Sequence, residues 1–89
     1  MPKLMNIGFG NTVNTGKVVS IINPDSAPAK RLIQKAKEEE LIIDATQGRR
    51  TRAIIITDAN LIVLSALLPD TLTTRFNEGN GVEEKNNGE

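Results

Sequence analysis

The distribution of apolar positions along the chain predicts several short strands around one well-defined helix. Short apolar runs, rich in β-branched residues and bounded by Gly, Pro, Asn or Asp, predict five strands, at residues 4–9, 18–22, 41–46, 51–57 and 61–67. Pro69 and Asp70 favour the start of a short second helix that runs through Phe76, since proline and an acidic residue suit a first helical turn. The predicted order is β-β-α-β-β-β-α, an α+β domain with a small mixed or antiparallel sheet.

The main helix is predicted between the second and third strands. Four apolar residues recur there at helical spacing and share one face: Ala29, Leu32, Ile33 and Ala36. Asp25 or Ser26 can cap the first turn, because a short side-chain oxygen accepts from its free amides. Pro28 is tolerated because those amides lack partners within the helix. We expect the helix to end near Glu40.

Residues 54–56 and 61–64 are continuous apolar runs. Strands of a sheet with one solvent-exposed face would instead alternate apolar and polar residues. One main helix can cover only one face of such a sheet. The other face must be covered by a second subunit or by the terminal helix, since soluble monomers rarely keep a large apolar patch exposed. We favour the first alternative, and therefore predict a homo-oligomer.

Composition argues against an enzyme. The 89-residue chain supports one domain and contains no Cys and no His. Thiol chemistry, disulfides and the commonest general base and nitrogen metal ligand are therefore absent. An oxygen-only metal site built from carboxylates is a minor alternative, and we expect no metal and no cofactor. Since no apolar stretch reaches the ~20 residues of a membrane-spanning helix, we expect a cytoplasmic protein without a membrane partner.

The formal charge of zero, with 11 basic and 11 acidic residues, conceals an uneven distribution. Residues 1–77 carry ten basic and seven acidic side chains, or +3, and residues 78–89 carry one and four, or −3. We predict a domain at residues 1–77 and a disordered acidic tail at residues 78–89, because Val82 is the only large apolar residue after Phe76. Such opposed segments are a weak indication of nucleic-acid binding.

The strongest chemical signal is the cluster Gly48–Arg52, with three arginines in four positions at a predicted turn. Guanidinium groups match phosphate oxygens or the guanine edge bidentately. The alternative is an exposed turn that only keeps a sheet edge soluble. Phe9 and Phe76 are the only aromatic residues, and we expect both in the core or an interface. Duplex DNA therefore fits better than single strands, which usually stack on aromatic rings.

These residues resemble the RemA-like regulators of Gram-positive bacteria, over roughly residues 4–76. The resemblance is carried by four segments in order: 6–11 (NIGFGN), 26–28 (SAP) ahead of the basic pair 30–31, 43–46 (IDAT) with 48–53 (GRRTRA), and 64–66 (LSA). It implies a DNA-binding transcriptional regulator that acts as a ring-like homo-oligomer and activates extracellular-matrix genes in biofilm formation.

The same resemblance implies which residues contact DNA. Arg49 and Arg50 match the functional arginine pair of the family's motif, and Lys17 stands where the family has arginine. Arg52 also matches the motif, and we infer that it contacts DNA. Gln47 departs from the family, which has tyrosine there. The alternatives left open are a structural homo-oligomer and a module that binds a small anion or a nucleotide.

Overall fold

The computed structural model describes residues 3–81 and confirms the α+β class and the predicted order of elements. The elements are β1 (Leu4–Gly8), β2 (Asn11–Asn14), a 3-10 turn (Thr15–Lys17), β3 (Val18–Ile22), α1 (Ala27–Glu38), β4 (Ile42–Asp44), β5 (Ala53–Thr57), β6 (Ile62–Ser65) and α2 (Pro69–Gly81). The segment between the first two predicted strands contains the short strand β2, which the sequence does not predict, and the 3-10 turn at residues 15–17, where the sequence pattern is typical of a turn.

The strands form two sheets. β1 and β2 make an antiparallel hairpin, and the other four make a mixed sheet in the order β3-β5-β6-β4. In the mixed sheet β3, β5 and β6 are antiparallel neighbours, whereas β4 runs parallel to β6. The loop from β4 to β5 must therefore pass over the end of β6.

Helix α1 covers one face of the mixed sheet, as its apolar spacing predicts. Ser26 is the N-cap, and its hydroxyl accepts from the backbone N–H of Ala29 at 3.2 Å. Ala29 and Ala36 are buried in a cluster with Ile54, Ile62 and Leu64. The small alanine side chains let the helix approach the isoleucines of the central strands closely.

The opposite face is covered by other parts of the same chain. The hairpin contributes the buried Met5 and Ile7, and α2 contributes the buried Leu72; all three pack against Ile55 and Val63 of the central strands. Most of this face is therefore covered within the chain by the terminal helix, as the alternative expects, together with the hairpin. The homo-oligomer stays a prediction that needs other support.

Helix α2 continues to Gly81, five residues beyond its predicted end at Phe76. Phe76 packs against the same core cluster as Leu72, so the helix is held to the sheet along its first two turns. Residues 82–89 of the predicted acidic tail lie outside the described residues. Neither α1 nor α2, over the residues described, is long and apolar enough to cross a membrane.

Candidate nucleic-acid interface

The loop between β4 and β5 contains a tight turn that presents the arginines. At its start, the Asp44 carboxylate accepts from the Thr46 backbone N–H at 2.9 Å and from the Thr46 hydroxyl at 2.6 Å. The N–H of Arg49 then donates to the Thr46 carbonyl at 2.9 Å. Gln47 and Gly48 between them have φ of 54° and 77°, the pattern of a type I′ turn. The chain therefore reverses direction at Gln47 and Gly48, and the arginines directly follow this turn.

Electrostatics reinforce the base of this turn. The Thr46 hydroxyl, and next the Thr46 backbone N–H, hold the pKa of the Asp44 carboxyl below its ordinary value, with a smaller contribution from the charge of Lys37. Hydrogen bonds to the charged form favour that form. Asp44 therefore remains an anion near neutral pH and keeps both bonds that define the turn.

Arg49, Arg50 and Arg52 are exposed and lie together at one end of the mixed sheet. None of the three forms an ion pair with another residue in the described range 3–81. The backbone N–H of Arg52 donates to the Ser65 carbonyl at 2.8 Å, which ties the loop to the end of β6. Three guanidinium groups are therefore presented to solvent from a backbone that is anchored on both sides.

The tip of the β1–β2 hairpin lies beside this loop. The guanidinium carbon of Arg49 sits over the Phe9 ring, 5.8 Å from its centroid. The buried Ser65 hydroxyl donates to the Ile7 carbonyl at 2.8 Å and accepts from the Leu67 N–H at 3.1 Å, which joins the hairpin to β6. Segments 6–11 and 48–53, far apart in sequence, thus meet at one surface.

Two residues of this surface are not predicted by the sequence pattern. Phe9 is expected in the core or an interface, but 48% of it is exposed and it lies outside the core clusters. Arg75 of α2 donates from Nη1 to the Asn6 carbonyl at 3.1 Å and so braces the hairpin. The one sequence signal for Phe9 is its position between Gly8 and Gly10, which favours a turn.

Lys17 lies at the opposite end of the mixed sheet. Its carbonyl accepts from the Asp58 N–H just after β5, whereas Arg52 directly precedes β5. The five residues of β5 separate the two, and the six steps from Arg52 to Asp58 span ~20 Å at about 3.3 Å per residue. Within one chain, the structure therefore brings the three arginines together and leaves Lys17 apart.

Carboxylates accompany Lys17 at its end of the sheet. Its Nζ is 3.9 Å from Asp58 Oδ2, and both side chains are more than half exposed, so the pair adds little stability. At the end of α1, Glu38 is the last helical residue and Glu39 is the C-cap; Glu39 lines the same small cavity as Lys35 and as Asn60 of the turn between β5 and β6. The positive charge of Lys17 is thus offset by Asp58, whereas the arginines of the loop have no carboxylate ion-pair partner within residues 3–81.

An apolar groove of ≈ 420 Å³ lies between β2 and the strands β4 and β6. Its apolar lining includes Ile7, Val13, Ile43, Ala45, Leu61 and Val63, and Lys17 and Asp58 lie at its rim. Ile43, on the edge strand β4, is 48% exposed. This groove is the part of the second face that the hairpin leaves open.

The described residues offer no candidate metal site: no three carboxylates within residues 3–81 are grouped closely enough to hold an ion.

Comparison with known proteins gives one consistent result. A family model described as RemA-like, extracellular matrix regulatory protein A-like, matches residues 4–76. The chain is 55% identical over 74 residues to a protein of Brevibacillus brevis (83% of this chain, 86% of that one) and 56% identical over 75 residues to one of Acetivibrio thermocellus (84% and 81%). It is 51% identical over 87 residues to one of Clostridium botulinum (98% and 96%). All three carry the name "putative regulatory protein".

Proposed function

The chain belongs to the RemA-like family of regulatory proteins, and we propose that it is a DNA-binding transcriptional regulator without enzymatic activity. It binds duplex DNA through Arg49, Arg50 and Arg52, acts as a ring-like homo-oligomer and activates extracellular-matrix genes. The observation that carries this proposal is the arginine loop, with three exposed guanidinium groups that have no acidic partner within residues 3–81.

Duplex DNA is the partner that this surface fits best. Guanidinium groups bind phosphate oxygens in a bidentate way and also read guanine in a groove. Binders of single strands usually stack several bases on aromatic side chains. Here Phe76 packs on the core and Phe9 already lies against Arg49, so these two rings do not form a stacking platform of that kind.

Self-association supplies the strength that one loop lacks. Three phosphate contacts bind weakly at physiological salt, and linked copies multiply them through effective concentration. Because α1 covers one sheet face and the hairpin and α2 cover most of the other, the surface that favours a second copy is the apolar groove that they leave open, with its half-exposed Ile43.

Lys17 can contribute to the same interface in one orientation of the DNA. A separation of ~20 Å corresponds to about six base pairs at 3.4 Å per step. A duplex lying along the strand direction would therefore meet both ends of the sheet. Because Asp58 offsets the charge of Lys17, we expect Lys17→Ala to weaken binding less than Arg49→Ala.

The decisive experiment is a duplex-DNA titration at several salt concentrations, with the protein's mass measured by light scattering. We compare wild type with Arg49→Ala/Arg50→Ala and with Lys35→Ala/Lys37→Ala. The control pair removes the same charge from the last turn of α1, where Lys37 makes only the smaller charge contribution to Asp44 described above. Removal of the arginines should weaken binding at least about tenfold. It should also flatten the log–log salt dependence by about 0.9 for each phosphate that the protein no longer neutralises.

The outcomes separate the proposal from its alternatives. Equal decreases in affinity in the two double variants would indicate only general electrostatic attraction and would contradict the assignment of the loop. Assembly without salt-dependent DNA binding would favour a structural oligomer. Binding of a nucleotide or inorganic phosphate at the loop, without duplex binding, would favour the small-anion module. In cells, matrix-gene transcripts should fall when the arginine pair is replaced.

A further inference from the structure

The hairpin tip next to the arginine loop holds an aromatic ring in an unusual setting. Gly8, Phe9 and Gly10 all have positive φ, of 108°, 54° and 79°. A bulky residue rarely adopts such a conformation, which occurs where the surrounding structure enforces it. The ring is turned away from the core and is half exposed. The apolar ring is thus placed at the surface, next to a charged loop.

Hydrogen bonds fix the backbone on both sides of this ring. The Asn6 carboxamide accepts from the Gly8 N–H at 2.8 Å, and the Asn11 carboxamide donates to the Gly8 carbonyl at 3.1 Å. Below the tip, the Ser65 hydroxyl holds the Ile7 carbonyl. These hydrogen bonds hold the backbone around the ring in place, and the fold therefore sets the position of the ring relative to the loop.

We propose that Phe9 is a positioning residue for Arg49, holding its guanidinium over the ring face so that its N–H groups point outward toward a phosphate or a base edge. The proposal rests on the proposed function. The 5.8 Å separation between the guanidinium carbon and the ring centroid lies within the range of cation–π contacts. Arginine has many rotamers, and an arginine already held in its binding conformation loses less freedom when DNA arrives.

The test is a double-mutant cycle on duplex-DNA affinity. Phe9→Leu keeps an apolar side chain that is not branched at Cβ but removes the π face, and Phe9→Trp keeps a stronger π face. Phe9→Leu should weaken binding about two- to fivefold, the effect of an exposed cation–π contact, and Phe9→Trp should preserve affinity. In the Arg49→Ala background, Phe9→Leu should have no further effect.

Three outcomes would overturn the proposal. Unchanged affinity of Phe9→Leu would show that the ring does not matter. An equal decrease in the Arg49→Ala background would show that the ring contacts DNA itself or only maintains the hairpin. Failure of Phe9→Trp to preserve affinity, with an unfolding midpoint equal to that of wild type, would exclude the stacked geometry.

A measurement without DNA separates this inference from the proposed function. The side-chain δ protons of Arg49 should be shifted upfield in proton NMR spectra of the free wild type by the ring current of Phe9. The shift should disappear in Phe9→Leu. Absence of the shift in the wild type would overturn the stacking even if DNA binds. A normal shift in a wild type that binds no duplex would instead count against the proposed function alone.

Discussion

Ser65→Ala tests whether one buried hydroxyl joins the hairpin to the sheet. Ser65 is fully buried, donates to the Ile7 carbonyl at 2.8 Å and accepts from the Leu67 N–H at 3.1 Å. The substitution leaves both backbone groups without this partner. A buried polar group left unpaired costs about 1–3 kcal/mol, and the half-buried Leu67 N–H can recover water, so we expect a net destabilisation of about 2 kcal/mol. For a domain of this size, that lowers the melting temperature by about 8–16 °C.

The matched control is Ser20→Ala. Ser20 lies in β3 of the same sheet, is half-buried, and its hydroxyl makes no side-chain hydrogen bond within residues 3–81. We expect it to change the free energy of unfolding by less than about 0.5 kcal/mol. Because the chain has no Trp and no Tyr, unfolding in urea is followed by far-UV circular dichroism. Equal stabilities of Ser65→Ala and Ser20→Ala would refute the role of the hydroxyl as a clamp.

Three further predictions concern the loop and the groove. Because the folded-state pKa of Asp44 is lowered, its stabilising contribution is complete above about pH 4 and is lost as pH falls through the folded-state pKa. Asp44→Asn should therefore flatten the acid limb of the profile, which is the decrease in melting temperature as pH is lowered. Gly48 has φ 77° and open space for a Cβ, so Gly48→Ala should destabilise the folded protein by about 1 kcal/mol through backbone strain alone. It should also weaken DNA binding at unchanged charge, whereas the control Gly16→Ala should change neither stability nor DNA binding. Ile43→Gln should lower the mass measured by light scattering and the DNA affinity, whereas Leu4→Gln, 71% exposed and outside the groove, should lower neither.

Each of these has a contradicting result. An acid limb of equal slope in Asp44→Asn would mean that the bonds from Thr46 do not survive in solution. Full DNA affinity in Gly48→Ala would mean that the turn's backbone geometry does not position the arginines. An unchanged mass in Ile43→Gln, with wild type oligomeric, would mean that copies associate through another surface.

Local signals are sufficient to predict most of the secondary structure. The β-branched run 18–22 forms β3 with the predicted boundaries, and Ser26 and Pro28 mark the start of α1 correctly. Strand β2 is not predicted because its sequence, Asn-Thr-Val-Asn, has little intrinsic strand preference. Its conformation comes from pairing with β1 across the positive-φ tip, a non-local effect.

Coverage of the second sheet face could not be predicted for a similar reason. Apolar runs on β5 and β6 show that both faces are buried, but not whether the same chain or another one buries them. The deciding contacts join Met5, Ile7 and Leu72 to the sheet, across nearly the whole length of the domain. An apolar pattern shows that a strand face is buried, but it does not show which segment covers that face.

The residues of the candidate site also divide into those that neighbouring sequence places together and those whose position depends on non-local contacts. Arg49, Arg50 and Arg52 are neighbours in sequence, so a turn is enough to predict their proximity, and the structure has them together. Phe9 is forty positions away from Arg49, and its place beside that guanidinium depends on the hairpin folding back over the sheet. Lys17 is grouped with the arginines through the family resemblance alone, and the strand direction places it at the other end.

The separation of the two ends also explains how a chain of zero formal charge can present a basic surface. At physiological ionic strength, charges are screened over about 8 Å. Asp58 lies at the Lys17 end of the sheet, ~20 Å from Arg52 by strand length, which is more than two screening lengths. A phosphate approaching the loop therefore responds to the three arginines, to the neighbouring Arg75 and Lys37, and to Asp44, whose carboxylate oxygen is already engaged by Thr46. The net charge of the whole chain is the wrong quantity for predicting contact with a polyanion, and the charge within one screening length of the loop is the right one.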